Sequence, residues 1–345
     1  MFKSINIKNF RSFKELKEDR FTRINLITGR NNCGKTSFLE ALLLLGSVNE
    51  IALSVAIDNF RGLKHKKPGD FKFLFHGLES VNQIEISGNM EKNVRKLSIS
   101  LETKEEEYID PTNISSTINQ EENAVLVYKI EEGSTSENVK LLSEIKNNNL
   151  SYQKLPNGKK TFSEKSLYLK SSLPLNFITQ LDELIRTKEE KIIIDVIQKI
   201  DKDVVDISIG EGNTVYVDVS KKHLYPINIV GDGVEKIIQY IAALSNFKNG
   251  TVLIDEIENG LHIDSVQHFW KALVELSHRN NFQIFASTHS IDIMKGLANI
   301  STEESPIAEE EFSYFNMRKL EKETKMYRYT MDELRNSLEN NIEAR

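Results

Sequence analysis

Between two apolar stretches the chain carries Gly29-Arg30-Asn31-Asn32-Cys33-Gly34-Lys35-Thr36, and no other segment restricts its fold as strongly. The octapeptide has the form G-x-x-x-x-G-K-[ST], whose meaning depends on a strand before it and a helix after it. Arg23-Ile24-Asn25-Leu26-Ile27-Thr28 is an apolar-rich strand candidate, and residues 37–45 are strong helix formers closed by Gly46. In that context the segment is a phosphate-binding loop rather than a glycine turn with an incidental Gly-Lys-Thr. Glycines let backbone N–H groups curl around phosphate oxygens, and the helix adds the positive end of its dipole. Gly29, Arg30, Asn31, Asn32, Cys33, Gly34, Lys35, Thr36 and Ser37 are the expected nucleotide cradle. Lys35 would reach the β- and γ-phosphates of ATP, and the Thr36 hydroxyl would ligate Mg²⁺. Cys33, the only cysteine, is a packing residue by default. If its thiol is accessible, alkylation should block ATP binding and ATP should protect it.

A second half-site is expected about 220 residues further on. Thr251-Val252-Leu253-Ile254 reads as a buried strand ending in Asp255-Glu256, the form of a Walker B motif. A buried strand holds a carboxylate rigidly at its C-terminal end, where sites in parallel sheets form. Asp255 would hold Mg²⁺, and Glu256 would orient or deprotonate the attacking water. Residues 283–289 form the next strand candidate and end in His289.

At 345 residues the chain is long enough for one large domain and an insertion. A net charge of −6 does not indicate nucleic acid as a partner, although a local patch remains compatible with DNA. One cysteine allows no internal disulfide and fits a reducing compartment. No apolar run approaches the roughly twenty residues that cross a membrane. A cytoplasmic protein without a membrane partner is expected.

Residues 51–200 read as an α+β insertion, a candidate arm for partner binding or dimerisation. It holds paired strands near 84–87 and 94–101 with Gly88-Asn89 as their turn, a strand near 124–130, and helices near 177–186 and 191–200. Residues 102–123 are polar and read as a mobile loop, and residues 131–149 are polar again. Arg61, Lys64, His65, Lys66 and Lys67 make a small basic loop. Heptads sustained over many turns, the mark of a long coiled coil, are absent. A hairpin is expected over 204–219, a helix over 234–244 after Gly231-Asp232-Gly233, and another over 262–277. Two short strands and a charged helix close the chain.

The segment Asn9-Phe10-Arg11-Ser12 ahead of the loop resembles the N-terminus of RecF, SMC and related ABC-type ATPases. Together with residues 29–36, Gly231-Asp232-Gly233, Asp255-Glu256-Ile257-Glu258-Asn259-Gly260-Leu261-His262 and Ser287-Thr288-His289, it looks like the OLD (overcoming lysogenisation defect) group of relatives of RecF. The resemblance spans roughly residues 1–50 and 205–345. It implies an α/β fold, an ABC-type P-loop domain with a mixed sheet built from residues 1–50 and 201–345. It also implies an ATPase that works as a homodimer or higher homo-oligomer. Arg11 and Ser12 would then lie near the nucleotide, His289 would contact the γ-phosphate, and Gly231 and Gly233 would grip the nucleotide of a second copy. Asp232 departs from the family's S-G-G form, which points to slow or conditional turnover. Ile263 stands where the family has proline, which weakens Glu258 and His262 as interface residues. OLD proteins usually carry a C-terminal TOPRIM nuclease, and the residues after His289 are too few for one. A separate effector, a nuclease or toxin of antiphage defence, is therefore expected; the competing readings are a RecF-like DNA clamp and an ATP-bound scaffold with little turnover.

Overall fold

The computed structural model describes residues 1–91, 93–104, 123–146, 149–155, 162, 165–170, 177–199, 201–261, 263–300, 309–321 and 323–339. Strands β1 (Ile5–Phe10) and β2 (Phe13–Glu18) form a hairpin, β3 (Ile24–Thr28) runs into the glycine loop, and α1 (Lys35–Gly46) leaves it. Helix α2 (Leu53–Phe60) precedes β4 (Ile84–Asn89), β5 (Val94–Lys104), β6 (Asn123–Glu132), β7 (Thr135–Lys146), β8 (Asn149–Leu155) and β9 (Ser166–Lys170). Helices α3 (Ile178–Thr187) and α4 (Lys191–Ile197) lead to the small strands β10 (Asp206–Ile209), β11 (Val215–Asp218) and β12 (Tyr225–Pro226). Then come α5 (Ile227–Val230), α6 (Asp232–Ser245), β13 (Thr251–Asp255), α7 (Ile263–Arg279), β14 (Gln283–Ser287) and α8 (Ile291–Ile300). Strands β15 (Phe312–Lys319) and β16 (Thr324–Tyr329) and helix α9 (Met331–Glu339) follow.

The larger strands make two sheets. One has the order β16-β15-β3-β14-β13-β9, parallel except for the β15–β16 hairpin. The other runs β2-β1-β4-β5-β6-β7-β8 and is antiparallel throughout. Strands β3, β13 and β14 are buried at every position, as strands covered on both faces must be. Leu253 and Phe285 pack on the α1 side, whereas Val252, Ile254, Ile284 and Ala286 join the core formed with α6, α7 and α8.

Helix α1 lies between the sheets and touches β9, β13 and β14 on one side and β1, β4 and β5 on the other. This explains its composition. Residues 37–46 are all buried, so Phe38, Leu39 and Leu42 to Leu45 leave no polar stripe for solvent.

The fold is the expected α/β ABC-type architecture, but its sheets do not follow the divisions expected at residues 50 and 200. Residues 84–155 extend the sheet begun by β1, and β9 pairs with β13 at the edge of the other sheet. Gly88 and Asn89 are not a turn: they pair with Arg95 and Val94, and the chain reverses after them. Gly88 is required instead by close packing, since a Cβ there would lie 2.7 Å from the Ser4 carbonyl oxygen. Within the polar stretch 131–149 lies β7, whose Val139 and Leu141 are buried while Lys140 faces solvent. Of the polar run 102–123, residues 105–122 lie outside the described residues.

Candidate nucleotide site

The loop after β3 has two glycines in conformations that side chains resist. Gly29 has φ +143°, and a Cβ there would stand 2.2 Å from the Met317 carbonyl oxygen. Gly34, at φ +111°, would place a Cβ 2.8 Å from both the Phe13 ring and Ser12 Oγ. Glycine at both positions lets the loop close against β15 and the β1–β2 turn. Lys35 Nζ donates to the carbonyls of Gly29 (2.7 Å) and Arg30 (3.2 Å), on the inner curve of the loop.

The parallel order brings the end of β13 to the start of α1. Thr36 Oγ1 donates to the Asp255 carboxylate, 3.0 Å from Oδ2 and 3.2 Å from Oδ1. Asp255 is buried and accepts two further bonds, from Ser287 Oγ to Oδ1 (2.6 Å) and from Tyr168 Oη to Oδ2 (3.2 Å). Burial and then the Asp255 charge push the Tyr168 hydroxyl far above the ordinary tyrosine range, so it remains a donor. Tyr168 stands on β9 opposite Leu253 and stacks on Phe60, with ring centroids 5.8 Å apart. These neighbours hold the carboxylate at the strand end in a fixed orientation.

Beyond Asp255 the backbone turns sharply: Glu256 has φ +54°, a left-handed conformation few side chains adopt. Ser287 Oγ accepts the Glu256 N–H at 2.9 Å, and Asn259 Nδ2 donates to Glu256 Oε2 at 2.8 Å. The next strand end supplies His289, whose Nδ1 and backbone nitrogen lie 2.7 and 3.0 Å from Glu258 Oε1.

A cavity of about 570 Å³ is lined by Ser12, Asn31, Asn32, Gly34, Lys35, Thr36, Ser37, Arg61, Asp255, Glu256 and His289. Its volume is that of a small-molecule site. The structure thus gathers the loop lysine and threonine, the aspartate–glutamate pair and the histidine around one space. The chemistry of the donors suits a hard cation, one carboxylate and one hydroxyl with room for phosphate oxygens. Among the described residues no group of three or more His, Cys, Asp or Glu forms a separate metal cage.

Arg11 is placed elsewhere, which corrects the expectation of a nucleotide contact. It is not among the cavity-lining residues. Its guanidinium is buried against Glu40 (3.2 Å), Asp58 (2.6 Å) and the Phe73 carbonyl (2.9 Å). Its neighbour Ser12 lines the cavity instead. Arg61, read from the sequence as part of a basic loop, turns inward: Nε lies 2.7 Å from Glu40 Oε1, and Nη2 is 3.1 Å from Ser37 Oγ. Burial opposes the Arg61 charge, but hydrogen bonds to Glu40 and the field of its carboxylate outweigh it and raise its pKa. His65 is likewise buried against Asp58 at 2.7 Å. The basic loop is therefore no continuous surface patch.

Gly231, with φ +142°, breaks the chain between α5 and α6, and a Cβ on Gly233 would lie 3.0 Å from the Gly260 carbonyl oxygen. Neither lines the cavity. His262 and the side chain of Asp232 lie outside the described residues. Tyr168, Ser287, Arg61 and Asn259 are the site neighbours that sequence reasoning missed. Only Ser287 carried a signal, as the residue opposite Asp255 once strands 251–255 and 283–287 are taken as parallel neighbours.

Comparison with known proteins agrees with this architecture. Residues 24–295, most of the chain, match the family described as "AAA domain, putative AbiEii toxin, Type IV TA system". A protein of Helicobacter pylori named ATP/GTP phosphatase is 27% identical over 339 residues, covering 88% of this chain and 89% of that protein. The RecF DNA replication and repair protein of Idiomarina loihiensis is 49% identical over 43 residues, 12% of each chain. A crystal structure of an SMC head bound to the C-terminal winged-helix domain of ScpA superposes with a TM-score of 0.51 at 12% identity, covering 97% of this chain and 99% of that one. That likeness concerns the fold alone. The chain is a member of this AAA-domain family.

Proposed function

We propose that the cavity binds ATP with Mg²⁺ and hydrolyses it, and that ATP-dependent pairing of two copies controls a separate effector protein. Lys35 and the backbone N–H groups of residues 29–36 hold the phosphates. Thr36 and Asp255 hold the cation, which supplies charge neutralisation at the phosphates when bound. Glu256 orients the attacking water and takes its proton, and His289 contacts the γ-phosphate. Gly231 and Gly233, at the N-terminus of α6, are offered to the nucleotide of a second copy. The observation that carries this reading is the contact of Thr36 Oγ1 with Asp255 at 3.0 Å, made across the sheet at the mouth of the loop. The family description, "putative AbiEii toxin, Type IV TA system", supports a toxin-linked role; a separate nuclease or toxin effector in antiphage defence extends that reading.

Two variants test the chemistry. Lys35→Ala should abolish ATP binding in calorimetry, whereas Glu256→Gln should retain binding and lose about 10²–10⁴-fold in turnover. Glu256→Gln should also accumulate as an ATP-dependent dimer in light scattering. Wild-type turnover in Glu256→Gln would remove the catalytic assignment. A DNA-gating reading is favoured by one feature, a cavity of about 440 Å³ whose lining includes Arg30, Arg318 and Lys319 and no acidic residue. Binding of duplex DNA that weakens steeply with salt and is lost in Arg318→Glu would support it.

A further inference from the structure

Glu258 belongs to the turn that follows Asp255 and has no part in the chemistry assigned above. Its side chain is 13% exposed, so a carboxylate has been drawn out of water, a costly placement unless its oxygens are well bonded. Yet among the described residues only one of its oxygens finds a hydrogen-bond partner. Oε1 takes both the His289 ring nitrogen Nδ1 (2.7 Å) and the His289 backbone N–H (3.0 Å), whereas Oε2 is buried without a hydrogen-bond partner. A carboxylate placed only to brace the turn would be expected to satisfy both oxygens with local donors. Here the bonded oxygen serves one residue twice.

A carboxylate oxygen that takes these two contacts accepts from both, so Nδ1 must carry the proton in the Glu258 bond. The backbone bond fixes the start of the loop after β14, and the ring bond fixes the rotation of the imidazole. Only Nε2 then remains for a ligand in the cavity that His289 lines. We propose that Glu258 is a positioning residue: it sets the tautomer and orientation of His289 so that Nε2 faces the nucleotide phosphates. The proposal rests on the reading of His289 as the γ-phosphate contact. It adds a reason for the acidic residue three positions after Asp255. The same turn also holds Glu256, through Asn259 Nδ2 at 2.8 Å, so residues 258 and 259 brace the two reactive side chains on either side of the cavity mouth.

The test separates acceptance of a hydrogen bond from charge. Glutamine keeps a carbonyl oxygen able to accept both bonds, and alanine keeps neither. Glu258→Ala should lose about 10–100-fold in kcat, the usual effect of removing the partner that orients a functional histidine, with KM changed little. Glu258→Gln should keep most of the activity. Glu258→Ala combined with His289→Ala should be no slower than His289→Ala alone. Heteronuclear NMR of the ring nitrogens should show His289 protonated at Nδ1 in the wild type and in Glu258→Gln, and shifted towards Nε2 in Glu258→Ala. An unchanged tautomer in Glu258→Ala, or a Gln variant as slow as the Ala variant, overturns the proposal. Failure of the underlying reading looks different: His289→Ala would turn over ATP like the wild type while the tautomer still followed Glu258.

Discussion

In the sheet that carries the site, β3, β13 and β14 are buried at every residue, whereas β4 in the antiparallel sheet alternates buried and half-exposed or exposed positions. Their polar groups are managed differently as a result. The parallel strands have no solvent face, so Thr28, Asp255 and Ser287 collect at strand ends and bond one another or neighbouring strands. The antiparallel strands send most polar groups to water and bury few charges. Helix α1 is tied to both: Glu40, midway along it, accepts Arg11 and Arg61, and Arg95 of β5 donates to the Leu45 carbonyl at its end (3.0 Å). The chemistry sits where burial is complete on both faces, because only there are carboxylate and hydroxyl positions fixed by neighbours rather than by water.

The strongest test of this contrast removes one carboxylate on each side of α1, Glu40 of the helix itself and Glu132 of β6. Glu40 is 1% exposed, and truncating it would leave Arg11, itself 6% exposed, and Arg61 without their shared carboxylate. Glu40→Ala should destabilise the fold by about 3–5 kcal/mol, the cost of stranding a buried charge. Glu132, the partner of Arg95, is 18% exposed, and Arg95 keeps its bond to the Leu45 carbonyl. Glu132→Ala should cost less, about 1–3 kcal/mol. Urea unfolding of both variants measures the difference. Equal losses would mean that the site side of α1 is no more constrained than the far side.

A smaller effect is expected at two glycines, one against each sheet. Gly29→Ala forces a side chain into φ +143° with the Met317 carbonyl oxygen 2.2 Å away and no flexible neighbour to yield. A loss of about 1–3 kcal/mol is expected, together with weakened ATP binding, because the loop must shift. Gly88→Ala has no positive φ, and its close neighbours include the movable end of Leu45 besides the Ser4 carbonyl. Thermal unfolding should show Gly29→Ala as the less stable, and calorimetry should show ATP affinity lowered in Gly29→Ala alone. Equal affinities would detach the loop's geometry from its contact with β15.

The same contrast explains what was legible in the sequence. Uninterrupted apolar runs ending in polar residues announced β3, β13 and β14, and the glycine spacing announced the loop. Hence Lys35, Thr36, Asp255, Glu256 and His289 could be named before any geometry. Strand β7 was hidden because it lies wholly within a polar stretch and few of its residues are apolar. Strand β9 was hidden because its five residues Ser166–Lys170 carry only Leu167, Tyr168 and Leu169 as apolar side chains, and their burial comes from β13 rather than from local pattern. Arg11 shows the opposite failure. A charged residue near a phosphate loop suggests a ligand, but the buried carboxylate of Glu40 holds Arg11 away from the cavity, while Arg61, read as part of a basic loop, meets the same carboxylate and lines the cavity. The sequence places Glu40 in plain view; that two distant arginines converge on it is a property of the packing.

Cys33 gives the mildest and most local test. Its thiol is 2% exposed and packs in the core shared with Phe38 and Met317. Burial raises its pKa, and the charge of Lys35 and nearby backbone hydrogen bonds offset this only in part. Less thiolate is present at neutral pH than for a free cysteine, so alkylation should be slower than that of a free thiol. Cys33 also lines the cavity with Arg30 and Met317 rather than the one with Lys35 and Asp255. ATP should therefore protect it little beyond the stiffening of the loop, in keeping with its default reading as a packing residue. Mass spectrometry of iodoacetamide-treated protein with and without ATP measures both effects. Rapid modification that ATP blocks would put the sulfur on the phosphate side of the loop and would reverse the orientation of residues 30–33 relative to β15.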